Sequence, residues 1–329
     1  MSLINLRSPY FIEHTASQTV GSADLTIQIN SVDQYVISKD TGSDAVSFEV
    51  SELIRDFLDI TFDGTMPYSS TTKNSLVVQA NLTLDFYANN KVTRASNSAA
   101  GTPDTPIGSE QELYTLYGFD GYSYFTEGKN HTLSSGQLLQ SATTMYIPEN
   151  TSAYIPYEDP ASNTHAVAYH TVSTSDTSVV VGGLTITIER ICEPIFDIIQ
   201  VLFVNKFGAI QEFHFNKKST IALSTNQESY ESMLASANTT YSRYDHQKYV
   251  YNKQGNEVIT LNTGYIDQGQ YETIKQLMLS ELVWAKIGST YFPMNVLTNS
   301  LTKRTKTNDR LVNYTIDMEY AYDEINSIR

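Results

Sequence analysis

The chain is poor in the residues that make covalent cross-links, membrane spans and basic surfaces. It holds one cysteine, Cys192, in 329 residues, so a disulfide bond within the chain is excluded and a reducing compartment fits. We interpret Cys192 as a small buried apolar residue. No stretch approaches the roughly 18 consecutive apolar residues of a membrane helix, and the N-terminus lacks the basic and apolar segments of a signal peptide. We therefore expect no contact with a membrane.

Basic residues are scarce as well. The 21 Lys and Arg side chains are outnumbered by 36 Asp and Glu, which gives a formal net charge of −15. Tight binding of nucleic acid requires a basic surface that displaces counterions from phosphate. The composition therefore predicts no specific binding of DNA or RNA.

Recognisable catalytic and cofactor motifs are missing too. The sequence has no glycine-rich phosphate loop, no Gly-x-Ser-x-Gly nucleophile and no histidine pair at the spacing of a metal site. Glu212 and His214 share a face of a predicted strand, where a solvated pair is the favoured interpretation. We expect a non-enzymatic protein with no metal or small-molecule cofactor. Structural calcium held by loop carboxylates stays open, because oxygen ligands need no short motif.

The sequence is rich instead in short stretches where apolar and polar residues alternate. Such alternation is typical of strands with one buried and one exposed face. Polar, turn-rich segments separate the stretches, which favours antiparallel sheets in sandwich-like or barrel-like domains. The apolar positions are Leu25, Ile27 and Ile29; Val78, Ala80, Leu82, Leu84 and Phe86; Leu184, Ile186 and Ile188; and Val312, Tyr314, Ile316, Met318, Tyr320 and Tyr322.

Two stretches, 50–58 and 271–278, carry apolar residues at helical spacing instead. We predict a mainly-β fold, a β-rich form of α+β, with two domains at 1–190 and 191–329 and one short amphipathic helix in each. Asp267 is the predicted N-cap of the second helix. The second domain opens with a predicted hairpin, in which 198–204 and 209–215 are strands and "NKFG" is the turn.

Two segments are predicted as long surface loops. Residues 95–110 are rich in Ser, Gly and Pro, and residues 217–247 are polar and weakly periodic. The second segment differs from a disordered linker because it includes Tyr230, Leu234, Tyr241 and Tyr244. We predict that this segment is an arm, and that these four residues contact a neighbouring subunit.

The C-terminus is predicted to form a hairpin with a basic turn. Residues 294–298 make one strand, residues 303–309 turn, and residues 311–323 return as a long strand. Complementary charges add specificity and speed to association, so we predict that the basic cluster contacts acidic residues of an adjacent subunit. Its members are Lys303, Arg304, Lys306 and Arg310.

Three stretches of the second half resemble a known group of proteins. They are "CEPIFDIIQVLFVNKFGAIQEFHFNKKS" (192–219), "TLNTGYIDQGQYETIKQLMLSELVW" (260–284) and "VLTNSLTKRTKTNDRLVNYTIDMEYAYDEINSIR" (296–329). Together with "FEVSELIRDFL" (48–58), they are similar to virion structural proteins of tailed bacteriophages from Bacteroidetes-type hosts and of marine phages, including the crAss-like group. The resemblance implies a tail or neck ring component.

The resemblance also implies partners and a location. A ring component is non-enzymatic and assembles with copies of itself, in roughly six- or twelve-fold symmetry. Its other expected partners are neighbouring tail, neck or portal proteins. DNA is expected to pass through the ring without being held, because acidic walls repel phosphate. The expected location is the virion tail, assembled in the host bacterial cytoplasm.

Two other classes of function stay open. Tyrosine-rich stretches suit a tail-associated receptor- or glycan-binding protein, because tyrosine combines an apolar ring with a polar end. A glycosidase needs two carboxylates that flank a sugar, and spacing in the sequence alone does not reveal such a pair. The tyrosines considered for a glycan site are Tyr122, Tyr124, Tyr146, Tyr154 and Tyr157.

Overall fold

The computed structural model describes residues 2–42, 44–66, 76–123, 127–149, 151–158, 167–173, 175, 177–181, 183–191, 195–233, 243–303, 311–322 and 325–326. Strands hold 52% of the residues and helices 11%, so the prediction of a mainly-β fold is confirmed. The chain divides into two compact units. The first unit comprises residues 1–145, 150–188 and 204–211, and the second comprises 146–149, 189–203 and 212–329.

The elements follow one another along the chain as a series of short strands with few helices. The strands are β1 (Ser2–Asn5), β2 (Phe11–Thr15), β3 (Ser22–Ile29), β4 (Val32–Asp40), β5 (Ala45–Glu49), β6 (Val77–Tyr87), β7 (Glu112–Phe119), β8 (Thr132–Leu133), β9 (Thr144–Pro148), β10 (Ser152–Glu158), β11 (Val167–Ser173), β12 (Ser178–Val181), β13 (Leu184–Ile191), β14 (Ile199–Val204), β15 (Ile210–Phe215), β16 (Thr220–Glu231), β17 (Lys248–Asn262), β18 (Ile266–Asp267), β19 (Val283–Ile287), β20 (Thr290–Val296), β21 (Leu311–Val312), β22 (Thr315–Tyr320) and β23 (Ile325–Asn326). In the described part of the chain the α-helices are α1 (Ser51–Arg55), α2 (Lys91–Ala99) and α3 (Tyr271–Leu279), and 3₁₀ turns lie at Gly108–Glu110 and Gln268–Gln270.

A six-stranded sheet in the order β4-β3-β6-β7-β1-β8 is the frame of the first unit. Leu25 of β3 lies opposite Leu84 of β6 in antiparallel register. The strands β1 and β7 run parallel, with Leu3 opposite Tyr117, so the prediction of antiparallel sheets is wrong for this pair. More than a hundred residues separate the two strands in sequence, and a long connection is what parallel pairing requires.

One face of this sheet encloses the first hydrophobic core. The alternation predicted for β3 and β6 is confirmed, because all the apolar side chains named for these strands are buried. The two-stranded sheet of β2 and β5, together with α1, contributes Ile12, Phe48 and Ile54 to the same core. Full burial stabilises the fold by roughly 1.5 to 3 kcal/mol for each large apolar side chain.

Besides β2-β5, the smaller sheets in the described part of the chain are β10-β11, β12-β13-β9 and β18-β21. The alternation predicted for β13 is confirmed at Ile186 and Ile188, which are buried, but Leu184 is 50% exposed. Leu184 directly follows Gly183, whose φ of +77° makes the turn between β12 and β13. The end of this hairpin extends beyond the core, which explains the exposure of Leu184.

The helix α2 corrects two predictions. A loop over 95–110 is wrong for residues 95–99, and one helix in each half is wrong because the first half has both α1 and α2. The sequence "KVTRASNSA" has Val92 as its one large apolar residue, so it lacks the apolar stripe by which a helix is recognised. Capping and tertiary contacts fix the helix instead. The Asn90 side chain accepts a hydrogen bond from the backbone N of Thr93 at 2.9 Å, and Arg94 binds Asp24 of β3.

An eight-stranded sheet is the frame of the second unit. Its order is β15-β14-β19-β20-β22-β17-β16, and the short strand β23 also pairs with β17. The predicted hairpin around "NKFG" is confirmed as β14 and β15. The backbone N of Asn205 donates to the oxygen of Ala209 at 2.9 Å, and Asn205 Oδ1 accepts from the backbone N of Phe207 at 2.9 Å. Gly208 has a φ of +77°, a conformation that glycine adopts without strain.

The helix α3 packs on this sheet and encloses the second core. Its residues Ile274 and Leu277 belong to one buried cluster with apolar side chains of β14, β17, β19, β20 and β22. The helix predicted at 271–278 is confirmed. The predicted cap is wrong for the α-helix itself, because Gln270 is the N-cap of α3 and makes no side-chain cap hydrogen bond. The Asp267 carboxylate instead accepts from the backbone N of Gly269 at 2.7 Å and caps the 3₁₀ turn that leads into α3.

The C-terminal strand alternates as predicted over its first part. Val312, Tyr314, Ile316 and Met318 are buried. The two arms of the predicted terminal hairpin also pair, because β20 and β22 are antiparallel neighbours, with Val296 opposite Met318. At the end of the alternation Tyr322 is 46% exposed.

The predicted continuity of this strand over 311–323 is wrong. The segment forms β21 and β22, which are separated by Asn313 and Tyr314, and β21 pairs with β18 instead of extending the large sheet. Between β21 and β22, Thr263 provides hydrogen-bond partners for the backbone N–H and the backbone oxygen of Tyr314. Its hydroxyl accepts from the backbone N of Tyr314 at 3.0 Å, and its own backbone N donates to the Tyr314 oxygen at 3.0 Å.

Candidate assembly interface

From Lys217 to Gln254 the chain forms an exposed hairpin, which we call the hairpin arm. Its described residues are 217–233 and 243–254, and all of them are exposed apart from the half-buried Ser219 and Ser232. The prediction of a loop over 217–247 is wrong for residues 220–231, because they form β16, which pairs with β17. Residues 234–242 lie outside the described residues. The weak periodicity has a physical reason. Neither face of the arm is buried, so nothing selects for alternation of apolar and polar residues.

The inner half of the arm continues the eight-stranded sheet. Ile221 lies directly opposite Ile259, and residues opposite each other in a pair of strands share a face. Ile259 is 3% exposed in the core, whereas Ile221 is 61% and Leu223 54% exposed. The apolar face of the sheet therefore extends onto β16 beyond the part that the core covers.

A bulge divides the inner half of the arm from the outer half. The register passes from Asn226 opposite Gln254 to Glu228 opposite Tyr251, so one residue of β16 is matched by two of β17. Asn252, within the bulge, has a φ of +50°, in the left-handed region that asparagine adopts more readily than most residues. Bulges bend a strand and increase its twist. The direction of the outer half is therefore set at this point.

The outer half carries three exposed tyrosines on one face, which we call the tyrosine cluster. Tyr230 lies opposite Tyr249, with ring centroids 5.4 Å apart and ring planes at 16°. The ring of Tyr251 lies 5.9 Å from that of Tyr230. A hydrogen bond from the Tyr251 hydroxyl to Glu228 raises the pKa of Tyr251. Tyrosine offers a large, rigid contact area with a polar end and is enriched in protein interfaces.

Polar contacts join the two strands of the arm next to its tip, where β16 ends and β17 begins. Lys248 and Glu231 form an ion pair of 3.1 Å, which contributes about 0 to 1 kcal/mol because both side chains are exposed. The backbone N of Ser232 donates to the oxygen of Gln247 at 2.8 Å. Beyond these contacts, Met233 and Tyr244 are 88% and 89% exposed, so the tip presents large apolar side chains at the surface.

The arm differs in charge from the rest of the chain. Residues 217–254 contain five basic and three acidic side chains, a formal charge of +2, in a chain of −15, so the remaining residues carry −17. Opposite charges steer association between surfaces and select partners. The arm is therefore opposite in formal charge to the rest of the chain.

Two of the four arm residues predicted to contact a neighbour are in the described part of the chain. Tyr230 belongs to the tyrosine cluster and Tyr244 lies at the tip. Leu234 and Tyr241 lie outside the described residues. The sequence reasoning missed Tyr249 and Tyr251 on β17, because they become neighbours of Tyr230 only through the register of the two strands.

The basic cluster near the C-terminus is described at one position. The Nζ of Lys303 lies 5.3 Å from the centroid of the Tyr271 ring, at the start of α3. Arg304, Lys306 and Arg310 lie outside the described residues. Their contact with an adjacent subunit stays a prediction.

Glu212 and His214 do not form the solvated pair expected from the sequence. They are 4% and 6% exposed, and the Glu212 carboxylate accepts a hydrogen bond from Gln200 Nε2 at 2.7 Å. Burial, with a smaller contribution from the charge of Lys286, lowers the pKa of His214 to about 4. The imidazole is therefore neutral at pH 7.

A cavity of about 610 Å³ in the first unit is a second candidate site. Tyr122, which is 43% exposed, borders it. This volume is in the range of small-molecule sites. Side chains of both charges and two aromatic rings face the cavity. The lining residues that bear on binding are Arg7, Phe11, Glu49, Glu52, Arg55 and Tyr122.

A buried carboxylate fixes both arginines of the cavity. Arg7 donates to the two oxygens of Asp120 at 2.9 and 2.7 Å, and Arg55 Nε donates to Oδ1 at 2.9 Å. Burial acts to raise the pKa of Asp120, but the hydrogen bonds and charges of Arg7 and Arg55 outweigh it and hold the pKa below its ordinary value. The carboxylate is therefore ionised and keeps both guanidinium groups in place.

The other tyrosines considered for a glycan site have different surroundings. The Tyr146 hydroxyl accepts a hydrogen bond from the backbone N of Asp267 at 2.8 Å. Tyr154 and Tyr157 are half-buried within β10. Tyr124 lies outside the described residues.

Comparison of the chain with protein-family models, with curated proteins and with solved structures finds no match. Within the described ranges, no group of three or more His, Cys, Asp or Glu side chains is arranged to hold a metal ion. None of the helices in the described part of the chain has the length and apolar character to span a membrane.

Proposed function

We propose that this chain is a structural, non-enzymatic subunit of a tailed bacteriophage virion, which assembles with copies of itself into a ring of the tail or neck. The hairpin arm is the observation that carries the proposal. The resemblance of the sequence to tail and neck ring proteins supports the same conclusion.

The arm has the properties of a segment that needs a partner. A two-stranded ribbon is marginally stable in water by itself, and clustered exposed apolar side chains mark interaction sites. Contact with a neighbouring subunit stabilises the ribbon and removes its apolar surface from water. The large apolar side chains exposed in the arm are Ile221, Leu223, Tyr230, Met233, Tyr244, Tyr249, Val250 and Tyr251.

A ring forms when the hairpin arm of one copy binds residues outside the arm of the next copy. Such a contact joins two different surfaces, and it closes into a ring when the rotation between neighbours divides a full turn. The formal charge of +2 on the arm and −17 on the remaining residues favours this arm-to-body contact over contact between two arms.

The excess of acidic over basic residues also fits a ring that surrounds DNA. A surface rich in carboxylates repels phosphate, so DNA passes without being held. In this role the partners are other copies of the chain and the adjacent tail, neck or portal proteins. The location is the virion, after assembly in the cytoplasm of the host bacterium.

Imaging of the purified full-length chain tests the proposal. We expect negative-stain electron microscopy to show closed rings with a central opening, and mass photometry to give one dominant multiple of the subunit mass. A chain that stays monomeric at high concentration, or that forms fibres without closure, contradicts the proposal.

A shortened arm provides the matched variant. Residues 226–254 are replaced by Asn-Gly, a two-residue hairpin turn that joins Thr225 to Gly255, its partner in the register. We expect the thermal unfolding of the variant to stay close to that of the monomeric wild type, because the described residues removed are exposed apart from the half-buried Ser232. Ring formation should be lost. Rings that form normally without the outer arm would remove the observation on which the proposal rests.

A receptor- or glycan-binding role is the second candidate function, and the cavity beside Tyr122 favours it. Its carboxylates and guanidinium groups match the hydroxyl groups of a neutral sugar as acceptors and donors, and its aromatic rings suit the apolar face of a sugar ring. Titration with glucose, galactose and mannose, followed by NMR, tests this role. Binding that disappears in Tyr122→Ala supports it, and the absence of saturable binding to all three sugars counts against it.

A further inference from the structure

Each of the two large sheets has two edge strands, β4 and β8 in one sheet and β15 and β16 in the other. Three of these four edges are protected from pairing with another chain. β8 has two residues, and β15 is buried along its whole length. The third strand, β4, carries Asp33, Lys39 and Asp40, and Lys91 Nζ donates to the backbone oxygen of Ser38 at 2.9 Å. Short strands, charged side chains and covering groups are the usual ways in which proteins prevent sheet edges from pairing with other chains.

The fourth strand, β16, lacks these protections over most of its length. It is 12 residues long, all of them exposed, and among the described strands it pairs with β17 alone. Residues 219–227, "STIALSTNQ", include no charged residue and no proline. Ile221 and Leu223 lie within this stretch and are more than half exposed. A long edge of this kind is a template on which another strand forms a ladder of backbone hydrogen bonds.

We propose that the outer edge of β16 accepts a strand from a second copy of the chain, so that the eight-stranded sheet continues across the subunit boundary. This inference rests on the proposed function and adds the mode of contact to it. Backbone pairing along residues 219–227 accompanies the side-chain contacts of the tyrosine cluster. The apolar side chains of Ile221 and Leu223, on the face that continues the core, are covered when the incoming strand adds its own side chains to that face.

Charge and symmetry identify the occupant. The stretch 219–227 is preceded by Lys217 and Lys218, and the arm of charge +2 meets residues of total charge −17 on another copy. The incoming strand is not another β16. Two β16 strands paired about a two-fold axis form a closed dimer, which does not extend into a ring.

Hydrogen exchange on the full-length chain, resolved residue by residue, tests the inference. Alternate backbone N–H groups of an edge strand point away from the sheet, so in dissociated copies every second amide of residues 220–227 should exchange fast. In the assembled protein we expect these amides to exchange at least about 100-fold more slowly.

The possible outcomes separate this inference from the proposed function. If rings form but the outward amides of β16 exchange as fast as in dissociated copies, no strand is added to β16. The inference is then wrong, while the proposed function is supported. If those amides are already protected in dissociated copies, the edge is occupied within the chain and the inference is again overturned. If no assembly forms, both proposals fail together.

Leu223→Pro and Ser224→Pro form a matched pair of variants. Adjacent residues of a strand direct their N–H groups to opposite sides, so one proline removes an outward N–H and the other removes an N–H that faces β17. Hydrogen exchange at residues 254–260 shows which variant keeps the pairing of β16 with β17. We expect that variant to assemble about ten-fold or more weakly than the wild type, because it has lost an edge donor.

Assembly of that variant at wild-type strength would show that the edge of β16 is not the contact. If both prolines unfold the hairpin, the exchange measurement on the wild-type chain decides the question, because it needs no substitution.

Discussion

Arg94 of α2 donates two parallel hydrogen bonds to the carboxylate of Asp24 on β3, with 2.9 Å between Nη1 and Oδ1. The guanidinium carbon lies 3.4 Å from the centroid of the Tyr87 ring. Burial acts to raise the pKa of Asp24, but the hydrogen bonds and charge of Arg94 outweigh it and keep the pKa below its ordinary value. The hydrogen-bonded Arg94–Asp24 pair, stacked on Tyr87, thus attaches to the six-stranded sheet a helix that has no buried residue.

Replacing Arg94 with Met should destabilise the first unit. The change leaves the Asp24 carboxylate, whose side chain is 13% exposed, without its main partner, and we expect the free energy of unfolding to fall by about 2 to 3 kcal/mol. Urea denaturation at neutral pH measures the change. Lys91→Met on the same helix is the control, because Lys91 is exposed and its loss should cost less than about 1 kcal/mol. Equal losses in the two variants would contradict the role given to Arg94.

The buried His214 should make stability depend on pH in the acidic range. Its pKa of about 4 in the folded chain lies below the ordinary value of about 6.5. Between these values the unfolded chain binds a proton that the folded chain does not, so stability decreases as the pH falls through this window. The whole effect is roughly 3 kcal/mol, from about 1.4 kcal/mol for each pKa unit.

Urea denaturation at about pH 7 and pH 4.5 measures this loss. The variant His214→Gln cannot bind the proton, so its stability should decrease less over the same interval. The same pH dependence in wild type and variant would assign the effect to other groups.

The tyrosine cluster should dominate the side-chain part of the contact between copies. Replacing Tyr230 and Tyr249 together with Ser should leave thermal unfolding of the monomer almost unchanged, since the rings are 52% and 40% exposed. Assembly should weaken about ten-fold or more, because buried aromatic side chains are frequent hot spots of binding. Mass photometry over a concentration series measures this change. Tyr265→Ser, at a tyrosine that is 67% exposed outside the arm, is the control and should assemble like the wild type.

The basic cluster near the C-terminus should affect the rate of assembly more than stability. Replacing Lys303, Arg304 and Lys306 together with Ser should leave the melting temperature nearly unchanged, because Lys303 is exposed and exposed charges contribute little to folding. Assembly should become slower, most clearly at low ionic strength, where charges are least screened. Light scattering after a salt jump follows the rate. Assembly of the variant at the wild-type rate in low salt would leave the cluster without a role in docking.

Alternation in the sequence located β3 and β6 because each of these strands buries one face. The same rule misjudged β15, where Glu212 and His214 are buried together with Phe213 and Phe215. It also gave no signal for β16, where no residue is buried. Apolar and polar residues alternate only in a strand that buries one of its two faces. The pattern therefore does not reveal whether a strand is buried on both faces or exposed on both.

The arm itself was predictable from composition, whereas its arrangement was not. Tyrosines among polar residues, such as Tyr230 and Tyr244, indicate a segment that differs from a linker. The pairing of Tyr230 with Tyr249 depends on the register across the bulge, which no local pattern determines. The helix α2 was missed for a related reason, because the contact of Arg94 with Asp24 joins residues that are far apart in the sequence.

The bulge between the two halves of the hairpin arm has a consequence for copy number. In the proposed ring every subunit turns by the same angle relative to its neighbour, and these angles must add to one full revolution. The arm takes its direction from a few backbone torsions around Asn252, whose φ is +50°, and not from the sheet as a whole. Substitutions such as Asn252→Val, which disfavour a positive φ, would redirect the outer half of the arm without inserting or deleting a residue, so the side chains that make contact are unchanged. Such variants should still assemble, but into rings of a different circumference.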